Sequence, residues 1–227
     1  GVKEVWINTN GGLLTDKLAR DLITAGADWI TMSFDGLGEI YESVRKPLKY
    51  IESLNKLKML RKIRDELHAS TLLNVQTIWS AIKHNPNEYI SLMKGIVDRV
   101  AYNPDMNFEE IILVPDDKFV CPRLWQRICI TSQGNYLKCP SDFKMEDIIG
   151  NVNEHSVKEA WDILQGQQRQ LHLSGRKKES KVCNNCHHGA KKKKVDVSIS
   201  GKDREDFTYN YTKDFLGSGL NRKDKED

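Results

Sequence analysis

The chain has 227 residues, with 35 Lys and Arg against 32 Asp and Glu and a formal net charge of +3. A balance this close gives no general electrostatic ground for nucleic acid or an anionic membrane as partner; no apolar run nears the ~20 residues that span a bilayer, and the N-terminus lacks the basic-then-apolar pattern of a secretion signal. Five cysteines, an odd number with a single C-x-x-C, fit metal ligation better than a disulfide framework, and imply a reducing, cytoplasmic setting.

Val2 to Asn8 reads as a strand, closed by the polar Asn8-Thr9-Asn10 and the turn Gly11-Gly12. Leu18, Leu22 and Ile23 repeat at helical spacing over Thr15 to Ala25, with Thr15 as N-cap and Gly26 as stop. Ala27 to Phe34 forms a second strand ending at Ser33 and Asp35, broken by Gly36. Glu39 to Leu67 is helical, interrupted at Pro47, with Leu54, Leu57, Met59 and Leu60 facing inward. Ala69 to Trp79 is a third strand, Asn87 to Val100 a helix, and Glu110 to Val114 a fourth strand halted by Pro115. Alternation of this kind predicts a parallel sheet of βαβ units, a partial (β/α) barrel of the TIM type over residues 1–115, with function gathered at the carboxyl ends of the strands. Asn10, Ser33, Asp35 and Gln76 fall there; Asn, Asp and Ser are also common turn formers.

The chain opens at Gly1 directly into a strand that would be an exposed edge, so the expectation is that sequence precedes Gly1.

After Asp116 the texture changes to a cysteine-rich domain, expected over 116–190. Arg127–Thr131 and Asn135–Cys139 read as a hairpin around Gly134. Ser156 to Leu164 is a short helix with the capping-box pair Ser156 and Glu159, and a basic connector leads on to Cys183 and Cys186. Residues 191–227 read as a charged, flexible tail, with Phe207, Tyr209, Tyr211 and Phe215 as anchors and the Lys191–Lys194 block as a solvated linker or a phosphate-binding patch.

Cys121, Cys139, Cys183 and Cys186 have the turn-linked spacing of a tetrahedral sulfur site, which zinc and iron–sulfur clusters both accept. Spacing alone does not choose between them. Cys129, between Ile128 and Ile130, is either a buried inert thiol or a ligand in place of Cys121; His187 and His188 fit groups around the site better than ligands.

Over residues 3 to 189 these features resemble the radical S-adenosylmethionine enzymes that carry a SPASM-type auxiliary iron–sulfur domain. The motif residues are the array itself, with twelve residues between Cys121 and Gly134 and four between Gly134 and Cys139, together with Cys121-Pro122-Arg123-Leu124-Trp125, the strand RICIT, Ile149-Gly150-Asn151-Val152 and Trp161. Upstream, Thr9-Asn10-Gly11 resembles the close of the family's third barrel strand, and Ser33-Phe34-Asp35-Gly36 with Arg45 the fourth strand and its trailing helix. The resemblance implies that Ser33 lies near the nucleoside of S-adenosylmethionine and that Arg45 holds the methionyl carboxylate, as a guanidinium fork can. It also implies one auxiliary 4Fe-4S cluster on Cys121, Cys139, Cys183 and Cys186, in a protein whose 5′-deoxyadenosyl radical abstracts a hydrogen from a small-molecule, sugar or peptide substrate, with a flavodoxin or ferredoxin as electron donor.

The family's C-x3-C-x2-C, which holds the catalytic cluster, and its glycine-rich second-strand motif are absent from these 227 residues. The expectation is therefore that this chain alone does not cleave S-adenosylmethionine and that the second cluster belongs to sequence upstream. A non-enzymatic binding module with a structural four-cysteine zinc knuckle is the alternative.

Overall fold

A computed structural model describes residues 2–103, 113–116, 118–184, 186, 190–192 and 213–214. The chain divides into two compact units, residues 1–106 with 198–227 and residues 107–197.

In the first unit the chain runs β1 (Trp6–Thr9), α1 (Asp16–Thr24), β2 (Trp29–Ser33), α2 (Gly38–Val44), α3 (Tyr50–Glu66), β3 (Leu72–Ile78), a short α4 (Trp79–Ile82), α5 (Pro86–Lys94) and β4 (Arg99–Asn103). β1 to β4 are parallel and adjacent in chain order. This is the expected α/β architecture, a four-stranded parallel sheet like part of a barrel. Local chemistry sets the boundaries: the Thr15 hydroxyl accepts from Leu18 N at the start of α1, Pro47 separates α2 from α3, and Asn85 with Pro86 opens α5. One face of the sheet, carrying Ile30, Met32, Phe34, Leu73, Val75 and Val100, packs on Ala19, Ile23, Leu57, Leu60, Tyr89 and Met93 from the helices. Leu54, Leu57 and Leu60 are buried as expected and Met59 packs against the same core.

Two expected elements are corrected. The helix from Asn87 ends at Lys94 rather than running to Val100, because Arg99–Asn103 leaves it to become the fourth parallel strand. The strand expected over Glu110–Val114 is instead β5 (Leu113–Pro115); it belongs to the second unit, and Glu110 to Ile112 lie outside the described residues.

The second unit continues with β6 (Cys129–Ile130), β7 (Asn135–Leu137) and β8 (Ile148–Asn151), an antiparallel sheet in that order. Gly134 makes the hairpin turn at φ +81°, where an added Cβ would meet Val152 Cγ2 at 2.7 Å. α6 (Val157–Glu159) starts at the predicted capping box, with Ser156 and Glu159 bonded reciprocally. The helix does not stop at Leu164, however. A π-helical turn over Ala160–Leu164 leads directly into α7 (Gln165–Leu173), so much of the expected connector is helix. α8 (Lys181–Asn184) and β9 (Ala190–Lys192) follow, β9 pairing antiparallel with β5. Lys191 and Lys192 thus fall in a strand, whereas Lys193, Lys194, Phe207, Tyr209, Tyr211 and Phe215 lie outside the described residues. In the first unit, β10 (Lys213–Asp214) pairs antiparallel with β4. Among the described residues no helix is long and apolar enough to cross a membrane.

Candidate metal centre

At the carboxyl ends of the first unit's strands, β2 and β3 stand in register so that Ser33 lies opposite Gln76. Both are partly buried, and among the described residues neither side chain makes a hydrogen bond. Asp35 is different. Its carboxylate is 1% exposed, accepts from Ile78 N at 2.8 Å through one oxygen, and holds Arg45 Nε and Nη2 on the other. Both Asp35 oxygens are therefore engaged within the protein, and the Arg45 guanidinium is oriented by Asp35. Burial, with the Asp35 charge next, pushes the Tyr89 phenol well above its ordinary pKa; its hydroxyl donates to Phe34 O at 2.6 Å and fixes the Ser33–Asp35 turn. Asn10 accepts from Gly12 N at 2.9 Å, the contact of a turn former.

In the second unit, Cys121, Cys139, Cys183 and Cys186 line one cavity; Cys129 is not among its lining residues. Each enters from a different local frame. Cys121 precedes a 3-10 turn over Pro122–Trp125. Cys139 follows β7 and its sulfur accepts from Ser141 N at 3.3 Å. Cys183 sits on α8, whose first turn is capped by Ser180 Oγ accepting from Cys183 N at 3.1 Å, and Cys186 N returns to Cys183 O at 3.4 Å.

The sulfurs are close enough to influence one another's ionisation. Burial, together with the Cys186 and Cys139 sulfurs, raises the Cys121 thiol, against a hydrogen bond from Arg123 N–H that lowers it. Burial raises Cys183 too; Ser180 and Lys138 act downward, and Cys139 and Cys186 upward. Cys129, raised by its own burial, feels Cys139 alone of these four. Burial thus disfavours the thiolate at Cys121 and Cys183, and a cation bound among the sulfurs would favour it. Among the described residues no group of three His, Cys, Asp or Glu side chains gathers as ligands of one ion. A cluster meets each thiolate at a different iron, so it asks the sulfurs to ring a cavity. The donor set fits such a group.

The same cavity is lined by Arg123, which stands in the Cys121–Trp125 motif, and by Lys138, Lys177 and His172, none of which the sequence pattern singled out. Lys138 and Lys177 are each 3% exposed. Lys138 Nζ pairs with Asp147 Oδ2 at 3.2 Å, and that oxygen also accepts from Ser180 Oγ at 2.5 Å and Val182 N at 3.3 Å. Asp147 thereby ties the Cys139 strand to the turn that carries Cys183. From α7, Gln165 donates to Lys138 O at 3.1 Å, and Arg169 donates to Leu124 O at 2.9 Å with its guanidinium 4.1 Å over the Trp161 ring. His172 Nδ1 accepts from Cys121 N at 3.3 Å, and Nε2 lies 3.4 Å from Cys183 Sγ. Burial, then the charges of Lys138 and Lys177, hold the His172 imidazole down to about 4. His187 and His188 lie outside the described residues.

Residues 121–187 match the family model for SPASM, an iron–sulfur cluster-binding domain. No curated protein sequence matches the chain. Among solved structures, BtrN in an open conformation aligns over 86% of this chain and 83% of its own, at 14% identity and a TM-score of 0.33. Streptococcus suis SuiB aligns over 73% of this chain at 13% identity and a TM-score of 0.47; bound to S-adenosylmethionine it aligns over 81%, again at 13% identity, with a TM-score of 0.48. The chain spans 50% and 54% of those two SuiB chains.

Proposed function

With residues 121–187 as a SPASM iron–sulfur cluster-binding domain, we propose that the chain is the C-terminal part of a radical S-adenosylmethionine enzyme whose second unit carries one auxiliary 4Fe-4S cluster. The observation that carries this reading is the joint lining of one cavity by Cys121, Cys139, Cys183 and Cys186 within the matched segment. Such a cluster, when bound, stores and passes single electrons. The chain's own residues do the rest. Four thiolates would hold every iron and leave none open to substrate, which favours electron transfer or structural support over direct ligation of substrate. Arg123 and Lys138 offset the negative charge that four thiolates bring into a buried site.

In the first unit, Ser33 and Gln76 are the polar groups left to contact S-adenosylmethionine, and Arg45, oriented by Asp35, presents its remaining guanidinium edge to a carboxylate. Asp35 then acts as the holder of Arg45, and Asn10 as a shaper of the β1 turn. The cluster that cleaves S-adenosylmethionine needs cysteines these 227 residues do not contain in the required C-x3-C-x2-C, so the chain alone is inactive in that step. The substrate is a small molecule, sugar or peptide, the electron donor a flavodoxin or ferredoxin, and the setting reducing and cytoplasmic.

The test is metal analysis of the chain purified and reconstituted without oxygen. The expected result is about four irons and four sulfides per chain, lost in Cys121→Ala and retained in Cys129→Ala. A colourless protein that binds about one zinc in the presence of iron and sulfide overturns the reading.

A further inference from the structure

His172 is buried on α7, yet both of its ring nitrogens meet cysteine segments that lie far apart in the chain. Nδ1 accepts the backbone N–H of Cys121 at 3.3 Å. A nitrogen that accepts has a bare lone pair, so the single hydrogen of a neutral imidazole resides on Nε2. Nε2 is 3.4 Å from Cys183 Sγ, within reach of an N–H···S contact. The Cys121 backbone thus selects the tautomer, and that tautomer aims its donor at the sulfur.

We infer that His172 is a positioning residue of the centre, a hydrogen-bond donor to Cys183 Sγ that raises the reduction potential of the cluster. The inference rests on the cluster reading above. Reduction brings one electron from a low-potential donor into the cluster; no bond forms or breaks, and the proton stays on Nε2. The added charge spreads onto the thiolate sulfurs, and a hydrogen bond to one of them is stronger in the reduced state than in the oxidised one.

The experiment is a redox titration of the reconstituted 227-residue chain, followed by electron paramagnetic resonance, for wild type, His172→Asn and His172→Gln. Asparagine keeps an acceptor near the Nδ1 position and removes the donor to sulfur; glutamine reaches the Nε2 position with an amide N–H. The expected result is a reduction equilibrium about tenfold less favourable in His172→Asn, which is about 59 mV lower for a one-electron couple, with His172→Gln close to wild type. An unchanged potential in His172→Asn overturns the inference. If either variant fails to hold a cluster, a chain labelled with 15N-histidine and carrying His187→Gln and His188→Gln, so that neither neighbour of Cys186 holds the label, decides. Pulsed resonance of the reduced cluster is expected to show a weak 15N coupling and a proton coupling that vanishes in D2O. No 15N coupling, or one strong enough for a nitrogen bound to iron, overturns the donor role. A wild-type chain that takes up no iron and sulfide overturns the cluster reading and this inference with it.

Discussion

Removing the Asp147 charge tests whether the second unit is held together at the point where its two cysteine-bearing segments meet. Asp147 Oδ2 accepts from Lys138 Nζ, Ser180 Oγ and Val182 N, and the Lys138 side chain is 4% exposed. At 3.2 Å the attraction between the two charges is about 5 kcal/mol for an effective dielectric of about 20. Desolvation of both groups offsets much of that when the pair is made, but an ammonium left buried without its partner keeps the full penalty. The expected cost of Asp147→Asn is about 3–5 kcal/mol, a large fraction of the roughly 5–15 kcal/mol that stabilises a domain. Urea unfolding with pulsed hydrogen exchange, read by mass spectrometry on peptides covering β6 to β8, reports this unit separately. The double variant Lys138→Met with Asp147→Leu removes both charges and should recover most of the loss, since apolar pairs commonly replace buried ion pairs at little cost. A loss below about 1 kcal/mol for Asp147→Asn, within the range of an exposed pair, would refute the reasoning.

Three further outcomes follow from the same geometry. Burial works to raise the Asp147 pKa, but Ser180, Lys138 and Val182 N–H outweigh it and hold the carboxyl below its ordinary range; a pKa depressed by folding contributes stability above the unfolded value of about 3.9. That contribution is lost as pH falls through the folded value, so the acid limb of the second unit's urea midpoint should flatten in Asp147→Asn. Gly26→Ala and Gly36→Ala should differ in the first unit: both glycines have positive φ, but an added Cβ at Gly26 meets no atom within 4 Å, while at Gly36 it meets Ala81 O at 2.8 Å and Ile40 Cγ2 at 2.6 Å. We expect about 1 kcal/mol for the first and about 3 kcal/mol or more for the second, read from denaturant midpoints. Arg169→Lys, which loses the flat guanidinium over Trp161 and the bond to Leu124 O, should cost about 1–2 kcal/mol in the second unit by the same assay.

The parallel sheet was readable because β1 and β2 are closed by Asn10-Gly11 and Asp35-Gly36, β3 is a mostly apolar run, and Thr15 and Pro47 mark helix boundaries between them. β4 escaped because Met93, Ile96 and Val97, all buried, continue the apolar spacing of α5 and mask the exit at Gly95. The cysteines stood out by their own spacing, and the match over 121–187 agrees with the resemblance they suggested. What surrounds them did not. Asp147 meets Ser180 and Val182, and His172 meets Cys121 and Cys183, through contacts across long loops that no local periodicity encodes. The inward stripe of α7, with Gln165, Arg169 and His172, is polar and reads as a solvated face. Asp35 and Arg45 were legible as functional residue types, but their pairing with each other is a tertiary fact.

The π-helical turn at Ala160–Leu164 carries a consequence for how this stretch tolerates change. A π turn holds one residue more than the α-helical turn it replaces, and on a helix one residue is 100° of rotation. The wider turn therefore absorbs a residue that in regular α-helix would rotate every later side chain by about that angle, and so keeps α7 facing the cysteines. Were Ala160–Leu164 to wind as regular α-helix with no residue removed, Gln165, Arg169 and His172 would turn together off Lys138, Leu124 and Cys183. Deleting one residue from the turn would instead restore regular helix and leave those side chains close to their present directions. In this segment the width of the turn and the number of residues in it are matched, and the centre depends on that match as much as on its ligands.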